Sequence, residues 1–379
     1  MFLISNVFWG LASIGTTFFL HIFFVTVVLG LSVIIPVFEI IGVAKREENF
    51  IRFARRLTSY LVRVDLFAGV LATWLTVFLA AYWPSLLYIA TNVLFYPISL
   101  AVAGIMIAIV STALYWYTWD EMSRKVHIAV GLFMSAGALM VAFGMNSILA
   151  LMFYPYGVKT STALGLTFFS SNGLNPLANP VFLPLALFSW FVSIAMASLI
   201  VLTFALFRSR NGPSDEFRIT VRTSKIIGIV FSLLGLVTVS WALMELHDFS
   251  QYVYQQMADR GFVSIVLILG ISAFLFSILS LSRRVDLLFA PIGAFANYAF
   301  LMFFEISSNT ARYPYIVVTG NTGIPADSII NPMFSIPSIL PLAGMAVIAL
   351  MLGTFLLTLY LAFYVFPVDR RKGTSDGAL

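Results

Sequence analysis

Three kinds of residue are scarce in this chain, and each scarcity removes a class of function. There is no cysteine, so the chain itself holds no disulfide, thiolate metal site or iron–sulfur cluster. Histidine occurs three times. Those three are scattered, so no Ser–His–acid set for nucleophilic hydrolysis can be assembled. Charge is the third. Charged residues are 10% of the chain, against about a quarter in an ordinary soluble domain. From Leu66 to Thr118 there is no Asp, Glu, Lys, Arg or His at all. That stretch supplies neither a carboxylate relay nor a charged transport site.

What fills the chain instead is apolar. Hydrophobic residues make up 61% of it and the mean hydropathy is +1.00. A soluble core cannot absorb that excess, whereas runs of about 20 apolar residues each cross a bilayer. Apolar spans fall near 9–43, 66–89, 93–118, 127–153, 181–207, 226–246, 262–282, 286–307 and 338–367. The expected fold is all-α: a polytopic membrane helical bundle of about nine transmembrane helices over 1–368, followed by a disordered cytoplasmic tail at 369–379. The first span is too long for a cleavable signal and lacks a basic leading region.

The net charge of +5 would suggest nucleic acid until the charges are placed. Eighteen of the 21 basic residues fall on the connections that share a side with the C-terminus. Lys159, Arg260 and Arg312 are the exceptions. The segregation points to the lipid bilayer, with the N-terminus outside and the C-terminus cytoplasmic. The segment "ENFIRFARRLTSYLVR" after the first span reads as an amphipathic helix on the inner leaflet. Asp65, Asp120 and Asp286, at inner span ends beside arginines, read as solvated ion pairs. The outer connections are poor in charge and rich in turn residues.

Ionisable groups inside a membrane are costly and therefore candidates for function. His21 lies about a dozen residues into the first span, in the outer half of the bilayer at about 1.5 Å per residue. Glu39 ends that span. Glu305 lies toward the outer end of a late span. His21 and Glu305 each have two readings: local packing, or ligation of a buried metal centre. His127 reads as interfacial packing beside basic residues. His247, between Glu245 and Asp248, is a loop histidine that could take a metal only with further ligands.

The run "LHIFFVTVVLGLSVIIPVFE", with its histidine, Gly30-Leu31 and Glu39, resembles the first helix of subunit I of cytochrome bd-type quinol oxidases. "VDLFAGVLATWLTVF", "WDEMSRKVH", "GLNPLANPVF" and "FFEISSNTARYPYIV" resemble later elements of that family in order, and the nine-span layout agrees. The resemblance implies a haem protein of a respiratory chain in the cell membrane. His21 matches the axial histidine of one high-spin haem (b- or d-type). Glu305 matches the carboxylate ligand of the second, and Arg312 an arginine near it. Imidazole and carboxylate both suit haem iron, and an arginine suits propionates.

The departures are as specific. Pro184 stands where the family places a histidine for a low-spin b haem. The partner methionine position, in "SIVLILGISAF", reads as valine or a neighbour. The quinol-binding outer loop shrinks to about fifteen residues, 247–261. The family's carboxylates in the third and fourth spans are missing. Glu305 and Arg312 are separated by about four residues more than the family pattern, close to one helical turn. The expectation is therefore a divergent subunit-I-like chain without the low-spin haem. It would work beside another oxidase subunit and meet quinone only through that partner. Two alternatives remain: a haem-free scaffold paralogue, and a small-molecule transporter with helices broken at Pro36, Pro97, Pro184 or Pro291.

Overall fold

Inside hydrocarbon a backbone must satisfy its own hydrogen bonds, and the helix does so within one segment. The computed structural model describes residues 6–82, 94–163, 166–171, 175–209, 215–326, 349 and 353–361. The long helices are α1 (Asn6–Lys45), α2 (Glu48–Tyr82), α3 (Phe95–Tyr117), α4 (Arg124–Phe153), α5 (Phe182–Ser209) and α6 (Asp215–Phe249). A short α7 (Gln251–Asp259) leads to α8 (Phe262–Leu279) and α9 (Asp286–Arg312). Eight of these are long and apolar enough to span a membrane among the described residues. Most of the expected ninth span, and the tail, lie outside the described residues. Residues 353–360 are helical and meet α2, where Trp74 Nε1 donates to Thr354 Oγ1 at 3.0 Å. The chain is a multi-pass, all-α membrane bundle.

α5 is the axis of the bundle. In its most apolar stretch 72% of residues are buried, against 22% in α2 and in α8. Small residues along it, among them Ser193, Ala195, Ala197 and Ser198, are buried and admit neighbours closely. α1 uses this at Gly30, where a Cβ would collide with the Ser193 carbonyl and the Ala197 side chain. α3 and α4 pair in the same way: a Cβ at Gly137 would come 2.6 Å from the Ala108 amide.

Two features of the fold depart from the sequence reading. The basic segment after α1 is not a separate surface helix, because it is continuous with the second span in the 35-residue α2. Phe50, Phe53, Ala54, Leu57 and Leu61 are buried against Ile34, Ile35 and Phe38 of α1, so its apolar stripe meets protein rather than lipid. The second departure is at the outer end, where two connections carry antiparallel hairpins. These pair β1 (Val158–Ala163) with β2 (Leu166–Ser171), and β3 (Tyr315–Thr319) with β4 (Thr322–Pro325).

Candidate functional site

His21 is held by α2. Its Nδ1 lies 3.1 Å from the carbonyl oxygen of Ala68. A carbonyl only accepts, so Nδ1 carries the hydrogen and Nε2 keeps its lone pair. The ring is partly buried, while Phe18, Phe19, Leu20 and Phe23 around it are exposed.

Helix geometry separates His21 from α9. Phe19 and Phe23, two residues to either side of His21, share the opposite side of α1. Both pack edge-on against Tyr298, at 5.5 and 5.3 Å, and the Tyr298 hydroxyl donates to the Phe19 carbonyl at 2.8 Å. Glu305 is seven residues beyond Tyr298, about 10 Å farther along α9. His21 and Glu305 therefore do not share one site.

Glu305 and Arg312 lie two turns apart on one face of α9, not in ion-pair contact. Among the described residues the Glu305 carboxylate has no hydrogen-bond partner; its backbone carbonyl accepts from Ser308 and Asn309 at 3.2 and 2.7 Å. Arg312 is buried over the Phe153 ring at 5.6 Å. It donates through Nη1 to the Ile316 carbonyl and through Nη2 to Asn309 Oδ1. Its Nε is buried without a partner.

A third constellation, at the inner end, was not visible in the sequence. Glu39 and His127 are fully buried. His127 Nδ1 sits 2.9 Å from each Glu39 carboxylate oxygen, and Nε2 sits 2.8 Å from the Tyr115 carbonyl. The carbonyl requires a hydrogen on Nε2, and the carboxylate requires one between itself and Nδ1. The pair thus holds one shared proton. The Tyr115 hydroxyl donates to Glu39 Oε2 at 2.5 Å, and Arg124 Nη1 to Oε1 at 3.3 Å. Trp119 packs edge-on to His127 at 4.6 Å. His127 is therefore the core of a polar joint between α1, α3 and α4, not an interfacial packing residue. The available signal was depth: two rare ionisable residues, each at the inner end of its span.

The remaining ionisable candidates divide. Asp120 pairs with Arg55 at 2.5 Å, both exposed, which is the expected solvated pair. Asp286 pairs with Lys225 rather than an arginine, at 2.8 Å, and the pair is buried. Asp65 has no ion pair among the described residues. His247 is exposed and bonds only Asp248 Oδ1, at 2.8 Å. No three of His, Cys, Asp and Glu gather as a metal site among the described residues.

Where the resemblance places low-spin haem ligands, Pro184 is buried in α5 between two members of an apolar cluster, Phe182 and Leu185. Val266 of "SIVLILGISAF" belongs to the same cluster, which Phe188, Phe300 and Phe304 fill. The shortened outer segment is largely α7, with Val253 and Met257 turned into that cluster.

Comparison with known proteins bears on the family and the fold. Residues 11–253 match the family described as cytochrome bd terminal oxidase subunit I. That range includes His21, Glu39 and His127 and stops before Glu305 and Arg312. No curated protein matches the chain. Among solved structures, the chain is similar in fold to the bd oxidase from Geobacillus thermodenitrificans. The identity is 13% and the TM-score 0.74, over 92% of this chain and 98% of that one. The family match spans more than half of the sequence and the folds superpose nearly end to end: the chain belongs to the cytochrome bd terminal oxidase subunit I family.

Proposed function

We propose that the chain is one subunit of a bd-type respiratory oxidase in the cytoplasmic membrane, and that it provides protein ligands to high-spin haem while a partner subunit receives the electrons from quinol. The observation that carries this reading is the hydrogen bond from His21 to Ala68. It fixes the ring and its tautomer and leaves Nε2 as the free base, the arrangement that metal-bound histidines commonly use.

The donor set fits a haem. Glu305 offers a carboxylate without a hydrogen-bond partner among the described residues. Arg312 offers a buried guanidinium with one unpartnered N–H, suited to an acidic propionate. Haem iron bound at such ligands would supply the centre at which dioxygen accepts electrons. The chain's own part is to hold His21 and Glu305 on separate helix faces, as donors to separate groups. Pro184 and Val266 supply no ligand for a low-spin haem, so quinol oxidation falls to the partner.

A second reading, a haem-free paralogue that stabilises an oxidase partner, is favoured by the packing. Phe188, Phe300 and Phe304 fill the interior.

The deciding experiment is a reduced-minus-oxidised absorption spectrum with haem extraction on the chain purified from its native membrane. The proposal expects haem in the wild-type chain and its loss in His21→Ala and Glu305→Ala variants that stay folded. A folded, partner-bound chain without haem would leave the scaffold reading. A colourless chain without an oxidase partner would overturn both and return transport to consideration.

A further inference from the structure

Between Glu305 and Arg312, on the same face of α9, stands Asn309, one turn from each. The haem reading gives it no part. Its amide is oriented from both sides: Nδ2 donates to the Glu305 carbonyl at 2.7 Å, and Oδ1 accepts from Arg312 Nη2. A carbonyl only accepts and a guanidinium only donates, so a flipped amide would lose both bonds. Asn309 is half-buried.

The guanidinium is held on two further sides. Nη1 donates to the Ile316 carbonyl in β3, and the Phe153 ring of α4 lies 5.6 Å from its centre. The group is planar. One bond at each Nη and a ring against its side therefore fix both its plane and its turn within that plane. They decide where Nε–H points, and Nε is buried without an acceptor. Without Asn309, the Ile316 bond alone would let the group swing. A staple of the α9 C-terminus to β3 accounts for the two Nη bonds and for a positive charge at a helix end. It leaves Nε over, on a residue only 7% exposed and with no carboxylate in ion-pair contact among the described residues.

We propose that Asn309 is a positioning residue, which turns Arg312 so that Nε–H meets an acidic group of the bound haem, and that Asn309 does not itself touch the haem. The proposal deepens the haem reading and rests on it. Two variants separate positioning from stapling. Asn309→Leu removes the acceptor and leaves the Arg312 charge free to turn. Asn309→Asp keeps an acceptor for Nη2 but sets a negative charge beside the place where the acid binds, while giving Arg312 a counter-ion.

The test uses the full chain, with its complex, from its native membrane. Haem per chain is measured by extraction after matched purification, the midpoint potential by redox titration, and unfolding temperature on haem-free protein. Asn309→Leu should retain about tenfold less haem, as expected when a hydrogen bond to a charged group is lost. Asn309→Asp should lose at least as much, although its haem-free form unfolds no lower than wild type. The haem it keeps should have a lower midpoint potential, because added negative charge favours the oxidised iron. Arg312→Gln should lose haem likewise. Haem loss in Asn309→Asp that only follows a fall in unfolding temperature would make Asn309 a staple and overturn the proposal. Wild-type haem content and potential in both Asn309 variants would overturn it too, and leave the haem reading standing. Full haem in Arg312→Gln would remove the acid contact and the proposal with it, leaving His21 and Glu305 as ligands. A wild-type chain without haem removes both.

Discussion

At the inner end of the bundle both carboxylate oxygens of Glu39 and both ring nitrogens of His127 have partners within 3.3 Å. In the outer half, among the described residues, His21 uses one nitrogen of two, Glu305 leaves its carboxylate unbonded, and Arg312 leaves Nε buried without an acceptor. Both sets lie within membrane-spanning helices, so lipid does not explain the difference. A closed network has no coordination left for a ligand, and its value lies in the helices it joins. An open set keeps coordination free for a ligand. The polar groups of this chain thus divide into a joint and a candidate site.

The largest expected effect breaks the joint. Glu39→Ala strands His127 Nδ1, the Tyr115 hydroxyl and the Arg124 guanidinium in a buried position. Breaking one side of a buried pair costs about 3–5 kcal/mol, enough to empty the folded state of a marginally stable protein. Thermal unfolding in detergent, followed by size-exclusion chromatography, should show little folded chain. A stable Glu39→Ala variant would dissolve the contrast between the two regions.

Glu39→Gln tests the shared proton within the same joint. The amide keeps the shape and an acceptor for Tyr115, but only one of its two atoms can answer Nδ1, so the cost falls to about 1–2 kcal/mol. With only three histidines in the chain, ¹⁵N-histidine NMR resolves the cause. Wild-type His127 should show a hydrogen on Nε2 and a strongly deshielded proton at Nδ1, and Glu39→Gln should abolish the second signal. His21 in both proteins should remain a neutral imidazole with its hydrogen on Nδ1, provided haem has been removed.

His21→Ala belongs lower on the scale. It removes one hydrogen bond to a carbonyl that also serves its own helix, at about 1 kcal/mol. Thermal unfolding should therefore shift by a few degrees at most, while extracted haem falls to background. A large loss of stability with haem retained would make His21 a second joint and not a ligand.

The division between joint and site explains what the sequence could show. The spans follow from apolar run length, and His21 and Glu305 stood out because charge inside a span is rare. Glu39 and His127 are 88 residues apart, and nothing in a linear pattern states that α1 and α4 meet face to face there. Basic residues in "ENFIRFARRLTSYLVR" suggested lipid headgroups, yet the apolar stripe between them was claimed by α1, since a stripe alone does not name what covers it. The β3–β4 turn was marked by Gly320, whose φ is +63°. In sequence a charge-poor, turn-rich connection reads as loop. Asp65 does not pair with Arg63, which is near in sequence but lies on another side of the helix.

The smallest effect on stability is expected at Glu305, and there the comparison is most exposed. Glu305→Leu removes a carboxylate that bonds nothing among the described residues and replaces it with a side chain of similar size. Glu305 is half-buried, and exchanging an unpaired carboxylate in an apolar span for an apolar group is neutral or gains about 1 kcal/mol. Unfolding temperatures of Glu305→Leu and wild type should therefore coincide or favour the variant in haem-free protein. In haem-loaded protein the order should reverse, because a ligand that binds only the folded state stabilises it. A variant destabilised equally in both forms would mean that Glu305 already has its partner within the chain, and the open character of the outer half would have to be read from His21 alone.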